Sequence, residues 1–217
     1  MGTRQISFIE AGTPGLHIFS KFPIPRLGAV LLSTILRERG YKIKAFIEDL
    51  AAPDWSFIES SDIVCISTIT TSAIKAYKMG QRLRDLHIPV IMGGAHPTFL
   101  PDEALEYADF VIRGEGEYSL VELLDSMDKG VPALRDIKGL SYRDRRGEIV
   151  HNPPENLSKT LTACPTLTSP LFITGPRRIP IRFLHRGVAP LIAGSALLSR
   201  CSEGGIVSSP LRMRSRN

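Results

Sequence analysis

The chain has 217 residues, is 43% hydrophobic and carries a formal net charge of +5, enough for one ordinary core with an appendage. It contains no apolar run of about 18 residues, and MGTRQISFIE lacks the basic-then-apolar order of a signal peptide, so neither a membrane partner nor secretion is indicated and a cytoplasmic address is expected. Residues 158–217 hold nine Lys and Arg against one acid, Glu203, while the rest hold 18 basic against 21 acidic side chains; with no aromatic after Phe183 and no contiguous basic block, no nucleic-acid partner is expected.

A first strand is predicted over 6–10, short and rich in β-formers. A helix is predicted over 26–39, where Leu27, Val30, Leu31 and Ile35 recur at helical spacing, Pro25 stands near the start and Gly40 supplies a left-handed stop. A strand over 42–47 precedes a helical turn over 55–59, opened by Asp54 as a cap. The third strand, 63–67, contains Cys65, read as a small buried hydrophobe. Cys65, Cys164 and Cys201 lack paired spacing, which argues against a disulfide framework or a zinc site. Thr71 or Ser72 then caps a helix reaching Leu86, whose Ala73, Ala76, Gly80 and Leu83 share one face and permit close packing on a sheet. The fourth strand is predicted over 90–92, a short helix over 102–107 and the fifth strand over 110–113. A helix over 118–129 follows, built on Leu120, Val121, Leu124 and Met127 and stopped by Gly130. Segments 140–143 and 148–151, joined by a turn at 144–147, form a hairpin ended by Pro153 and Pro154.

Alternating strands and helices predict an α/β fold, a doubly wound and mostly parallel five-stranded sheet over 1–135. A β-hairpin connector over 136–157 and an irregular tail over 158–217 complete the expected organisation. Right-handed crossovers gather the loops after the strands on one edge, where open α/β sheets bind ligands near the reversal of strand order. The loop 11–24, the STITTS segment at 67–72, GGAHP at 93–97 and RGEGE at 113–117 collect there. Gly93 and Gly94 either admit a group against the backbone or simply make a strand-to-loop turn. His96 is either a hydrogen-bonded turn residue or a ligand contact. Glu115 and Glu117 either complement a helix dipole or face a second domain.

GGAHPTFLPDEAL, ADFVIRGEGE and GLSYRDRRGEIVHNPP, in that order, resemble the cobalamin-binding domain that precedes the catalytic barrel in cobalamin-dependent radical SAM enzymes, over residues 6–154. The resemblance implies a Rossmann-like fold that holds cobalamin, a broad and largely apolar corrin disc with a thin nucleotide tail. In the wider cobalamin-binding fold, a Ser two residues before an aliphatic side chain follows the third strand and a Gly pair follows the fourth; Ser67, Thr68, Ile69 and Gly93, Gly94 match those places. The Ser67 hydroxyl would then bond the buried base or a tail amide, and Gly93 and Gly94 would leave a channel for the tail. Thr68, Thr70, Thr71 and Ser72 would add hydroxyl or helix-terminal amide contacts, including to the tail phosphate. His96, Gly114, Glu115 and Gly116 complete the implied cofactor set. The family branch that ligates cobalt through histidine carries Asp, one residue, His, two residues, Gly after the first strand. This chain has EAGTPGLH there, so His17 falls out of frame, and a cobalamin with an open or water-occupied lower face is expected.

Radical SAM enzymes hold a four-iron cluster through Cys, three residues, Cys, two residues, Cys, leaving one iron open for S-adenosylmethionine. This chain has no such triplet. Ala189, Ala193 and Ala196 repeat its spacing, and rereading 185–207 one base out of frame permits SRGCPFDCRFCSVVKMFGGRYRF. The tail is therefore expected to be a frameshifted remnant, with cluster, S-adenosylmethionine and packing on a radical SAM barrel confined to full-length relatives. Those relatives would transfer methyl groups from methylcobalamin to unactivated carbons or close rings. For this chain the expectation is a binding-only, non-catalytic domain. The alternatives are another doubly wound module, flavodoxin-like or receiver-like, or an inactive truncated gene product.

Overall fold

The computed structural model describes residues 4–15 and 26–155. The predicted tail over 158–217, with its reread segment, and His17 after the first strand lie outside the described residues. In chain order the elements are β1 (Gln5–Glu10), α1 (Leu27–Glu38), β2 (Lys42–Ile47), α2 (Trp55–Glu59), β3 (Ile63–Ser67), α3 (Ala73–Asp85), β4 (Val90–Gly93), α4 (Ala95–Phe99), α5 (Pro101–Ala104), β5 (Phe110–Ile112), α6 (Ser119–Lys129), β6 (Leu140–Arg143) and β7 (Ile149–His151).

Seven strands form one sheet in the order β2-β1-β3-β4-β5-β6-β7. The first five in that order are parallel, and β6 and β7 are antiparallel. The five-stranded expectation thus covers only the parallel part. The hairpin joins the same sheet because Leu140, Ser141 and Tyr142, all buried, pair with Ile112, Val111 and Phe110 and cover what would otherwise be an open edge.

Period-two alternation in the strands builds two cores. On β3, Val64 and Ile66 face the core formed with α2, α3 and α5, while Ile63 and Cys65 face the core formed with α1 and α6. Helices on both faces of a parallel sheet make the doubly wound arrangement. Burial pushes the Cys65 thiol far above its usual pKa, leaving it an inert apolar filler.

Helix starts and stops explain most boundaries. Asp54 caps α2 by accepting the Phe57 N–H at 3.2 Å, and Gly40 and Gly130 adopt positive φ just past α1 and α6. Neither Thr71 nor Ser72 caps α3 by its side chain: 70–72 form a 3₁₀ turn leading into the helix, and the Ser72 hydroxyl turns back to Thr68 and Ile69. The single helix predicted over 102–107 is replaced by α4 and α5, meeting at Leu100. On α3, Ala73, Ala76, Gly80 and Leu83 are all buried, as the spacing predicts. A methyl at Gly80 would overlap the Tyr107 carbonyl oxygen and lie 2.5 Å from Met92 Cε, so close packing there needs glycine.

Candidate functional site

The strand order reverses at β1 and β3, whose following helices leave for opposite faces of the sheet. The crevice outside their carboxyl ends is where such a sheet takes a ligand. Across this rim, Glu10, Ser67 and Gly93 are register partners on β1, β3 and β4. The structure therefore brings the predicted 67–72 and 93–97 segments onto one edge, with 113–117 following β5.

The hydroxyls there divide by what they already hold. Thr68, fully buried, reaches Ser72 Oγ at 2.8 Å and donates to the Ile69 carbonyl at 3.1 Å. Thr70 Oγ1 lies 3.2 Å from His96 Nδ1, and Thr71 Oγ1 3.1 Å from Thr13 Oγ1. Ser67 is half-buried, and its hydroxyl makes no hydrogen bond to any described residue. Among the five predicted hydroxyl residues, Ser67 is the one with no hydroxyl contact to a described residue, while Thr70 and Thr71, both exposed, each hold one and keep capacity for another.

The glycine pair splits in the same way. A methyl at Gly93 would meet only the Ile112 carbonyl oxygen, at 3.6 Å, an ordinary contact. At Gly94 it would lie 2.5 Å from the Thr68 carbonyl oxygen, and φ is +102°. The space expected there as a channel is filled by the chain's own backbone, and glycine is required for the turn into α4. Gly114 also has positive φ, +77°, with open space beside it, and its N–H donates to Thr98 Oγ1 at 3.0 Å. At Gly116 a methyl would press on Leu32 Cδ1 at 3.3 Å.

His96 is 6% exposed, and both ring nitrogens are engaged, Nδ1 by Thr70 and Nε2 by the Tyr77 hydroxyl at 2.8 Å. Burial, then the Glu103 charge, holds the Tyr77 phenol well above its usual pKa, so it stays neutral. His96 is thus held in its turn through both ring nitrogens. Glu115 is half-buried, and its carboxyl is raised by burial first and then by Glu117 and Glu155. Burial likewise raises Glu155, against a hydrogen bond from the Ser119 hydroxyl at 3.2 Å.

Sequence reasoning passed over Arg26 and the burial of Glu10. The Glu10 carboxylate, 2% exposed, accepts the Arg26 backbone N–H at 3.1 and 3.0 Å and lies 3.5 Å from Arg26 Nε. Burial raises its pKa, Arg26 opposes the shift, and Asp49 adds to it. An acid ending the apolar run ISFIE hints at a buried carboxylate; nothing in the spacing identifies its partner. A receiver-like reading, which needs accessible acids at strand ends, is poorly served by a carboxylate so enclosed.

The rim also gathers apolar surface. Ile74 (73% exposed), Phe99 (82%), Leu100 (46%) and Tyr118 (39%) all lie on segments that follow the carboxyl ends of β3, β4 and β5. Among the described residues, the other large exposed apolar side chains, Leu86 and Val131, follow the last turns of α3 and α6 at the opposite end of the sheet. A large flat apolar ligand with hydrogen-bonding arms suits such an edge.

Comparison with known proteins gives the same direction. The family model described as a B12 binding domain matches residues 18–124. An uncharacterized methyltransferase of Pyrococcus horikoshii is 33% identical over 152 residues, covering 65% of this chain and 32% of its own length. Bacteriochlorophyllide d C-8(2)-methyltransferase of Chlorobaculum tepidum is 31% identical over 91 residues, covering 37% of this chain and 20% of its own. The chain thus spans a third or less of the length of these relatives. Among solved structures, the cobalamin-dependent S-adenosylmethionine radical enzyme OxsB, with aqua-cobalamin and S-adenosylmethionine bound, superimposes with a TM-score of 0.59 at 23% identity, covering 76% of this chain and 24% of that one. That likeness shows a shared fold.

Proposed function

We propose that this chain carries a B12 binding domain related to those of cobalamin-dependent radical SAM proteins, and that the carboxyl rim of its sheet holds cobalamin, with Ser67 as the principal polar contact. The observation that carries the assignment to Ser67 is the hydroxyl of this half-buried residue, which no described residue engages, whereas the hydroxyls of Thr68, Thr70, Thr71 and Ser72 each have at least one protein contact. Ile74, Phe99, Leu100 and Tyr118 supply apolar surface for the corrin, and Gly93 and Gly114 leave the main chain accessible to its amide arms. The hydroxyls of Thr68 and Ser72 hold the 67–72 turn in shape rather than contacting the ligand.

Bound cobalamin supplies a cobalt centre able to carry a methyl group; the chain's own residues bind and orient the ring. His96 would not be free to hold the cobalt, because Tyr77 and Thr70 occupy both of its nitrogens. The reading is of a binding module without catalysis of its own, since the sequence holds no Cys triplet for a four-iron cluster. Chemistry on a substrate, and packing of this rim on a barrel, belong to full-length relatives. The spacing of Ala189, Ala193 and Ala196 supports a displaced reading frame in the tail; a gene sequence in which no one-base change restores three cysteines would remove that part.

Titrating the purified chain with aquacobalamin tests the binding claim. Saturable change in the visible spectrum at one equivalent, with a rise in melting temperature, is expected. Neither change at excess cobalamin would overturn it. Attempted iron–sulfur reconstitution is expected to give no cluster absorbance.

A further inference from the structure

Two neighbouring strands end at the crevice, and one side chain holds both of them. Arg26 Nη2 lies 2.9 Å from the Ala11 carbonyl oxygen and 3.4 Å from the Ser67 carbonyl oxygen. The guanidinium also stands against the Glu10 carboxylate at 3.5 Å, and that carboxylate receives the Arg26 backbone N–H on both oxygens. The Ser67 carbonyl accepts the Ala11 N–H as well, at 3.0 Å. Glu10 and Arg26 thereby tie together the two ends of the β1–α1 connection and lock the last turn of backbone before the Ser67 side chain.

This arrangement demands the shape of a guanidinium and not merely its charge. Nη2 alone reaches both carbonyls, while Nε of the same rigid plane faces the Glu10 carboxylate as an ion pair at 3.5 Å; an ammonium, a single point of charge on a flexible stem, cannot hold two such separated positions at once. The carboxylate is also nearly inaccessible to water, so it needs the cation for reasons of burial.

We propose that Arg26 is a positioning residue of the cobalamin site: anchored by Glu10, it fixes the Ser67 main chain and with it the hydroxyl that contacts the cofactor. The inference rests on the function proposed above. Its mutational test is therefore separable from that of cobalamin binding itself.

Two variants test it. Arg26→Lys keeps the charge that buried Glu10 requires but loses the fork. The double variant Glu10→Gln, Arg26→Gln removes both charges together, leaving no unpaired ion, and guards against a failure of the first to fold. With far-UV circular dichroism unchanged, each is expected to bind aquacobalamin at least tenfold more weakly than wild type. Without cofactor, each is expected to exchange the backbone amides near Ala11 and Thr68 at least tenfold faster. Wild-type affinity in both folded variants would overturn the positioning role while leaving the cobalamin reading intact. No binding by the wild-type chain would overturn both, and the cofactor-free exchange rates would still report whether Arg26 clamps the two strands.

Discussion

Individual side chains at the rim have different duties although they read alike in STITTS. Ser67 ends β3 with its hydroxyl unengaged by described residues, while Thr68 is fully buried and bonded to Ser72. Ser67→Ala is expected to weaken cobalamin binding about fivefold, ~1 kcal/mol for one neutral hydrogen bond, without lowering the melting temperature, as read by spectral titration and a thermal scan. Gly94→Ala acts on the fold instead. With φ at +102° and a methyl placed 2.5 Å from the Thr68 carbonyl oxygen, it is expected to cost about 2 kcal/mol or more, measured by urea denaturation. The sequence showed that glycines and hydroxyls cluster at strand ends. It could not show which hydroxyls face one another, because Thr13 with Thr71 and Thr70 with His96 are meetings across loops. Arg26 was illegible for the same reason: its carboxylate partner lies on a different element.

Elements were more legible than contacts, since apolar spacing marks helix α3 and short runs of β-formers mark the parallel strands. Where they were misread, local chemistry favoured one answer and tertiary packing another. The segment GGAHPTFLPDEAL was read as helical only in its second half. Gly94 in a positive-φ turn starts α4 before Pro101 starts α5, and Thr98 is held to the Gly94 carbonyl at 2.8 Å and by the Gly114 N–H. Gly80 tests the packing of α3. Alanine is the better helix former by ~1 kcal/mol, but its methyl meets the Tyr107 backbone, and overpacking by ~1–3 kcal/mol is expected to win. Gly80→Ala should therefore lower the melting temperature. Leu140 on β6 is fully buried against the core shared with α6. Leu140→Ala is expected to cost about 2–5 kcal/mol by chemical denaturation, because the hairpin is part of the sheet.

At the scale of the whole molecule, the proposed binding rim also carries half-buried acidic side chains. Glu115 and Glu155 carry raised carboxyl pKa values, chiefly through burial and with Glu117 adding to both. A carboxyl raised in the folded state stabilises below its unfolded value and loses that contribution as pH rises through the folded one. Glu115→Gln is accordingly expected to raise the melting temperature at pH 7, and the advantage should shrink towards pH 4. Among the described residues no helix is long and apolar enough to cross a membrane. Fold order 2-1-3-4-5 directs a ligand to the carboxyl ends of the strands, yet a cavity of about 530 Å³ opens at the other end, lined by residues including Arg84, His87, Pro89 and Asp109. Hydrogen exchange with and without aquacobalamin discriminates between them most directly. The account predicts slowed exchange in peptides spanning 67–72, 93–98 and 113–118; protection confined to the 84–89 and 109–110 region, or absent everywhere, would contradict it.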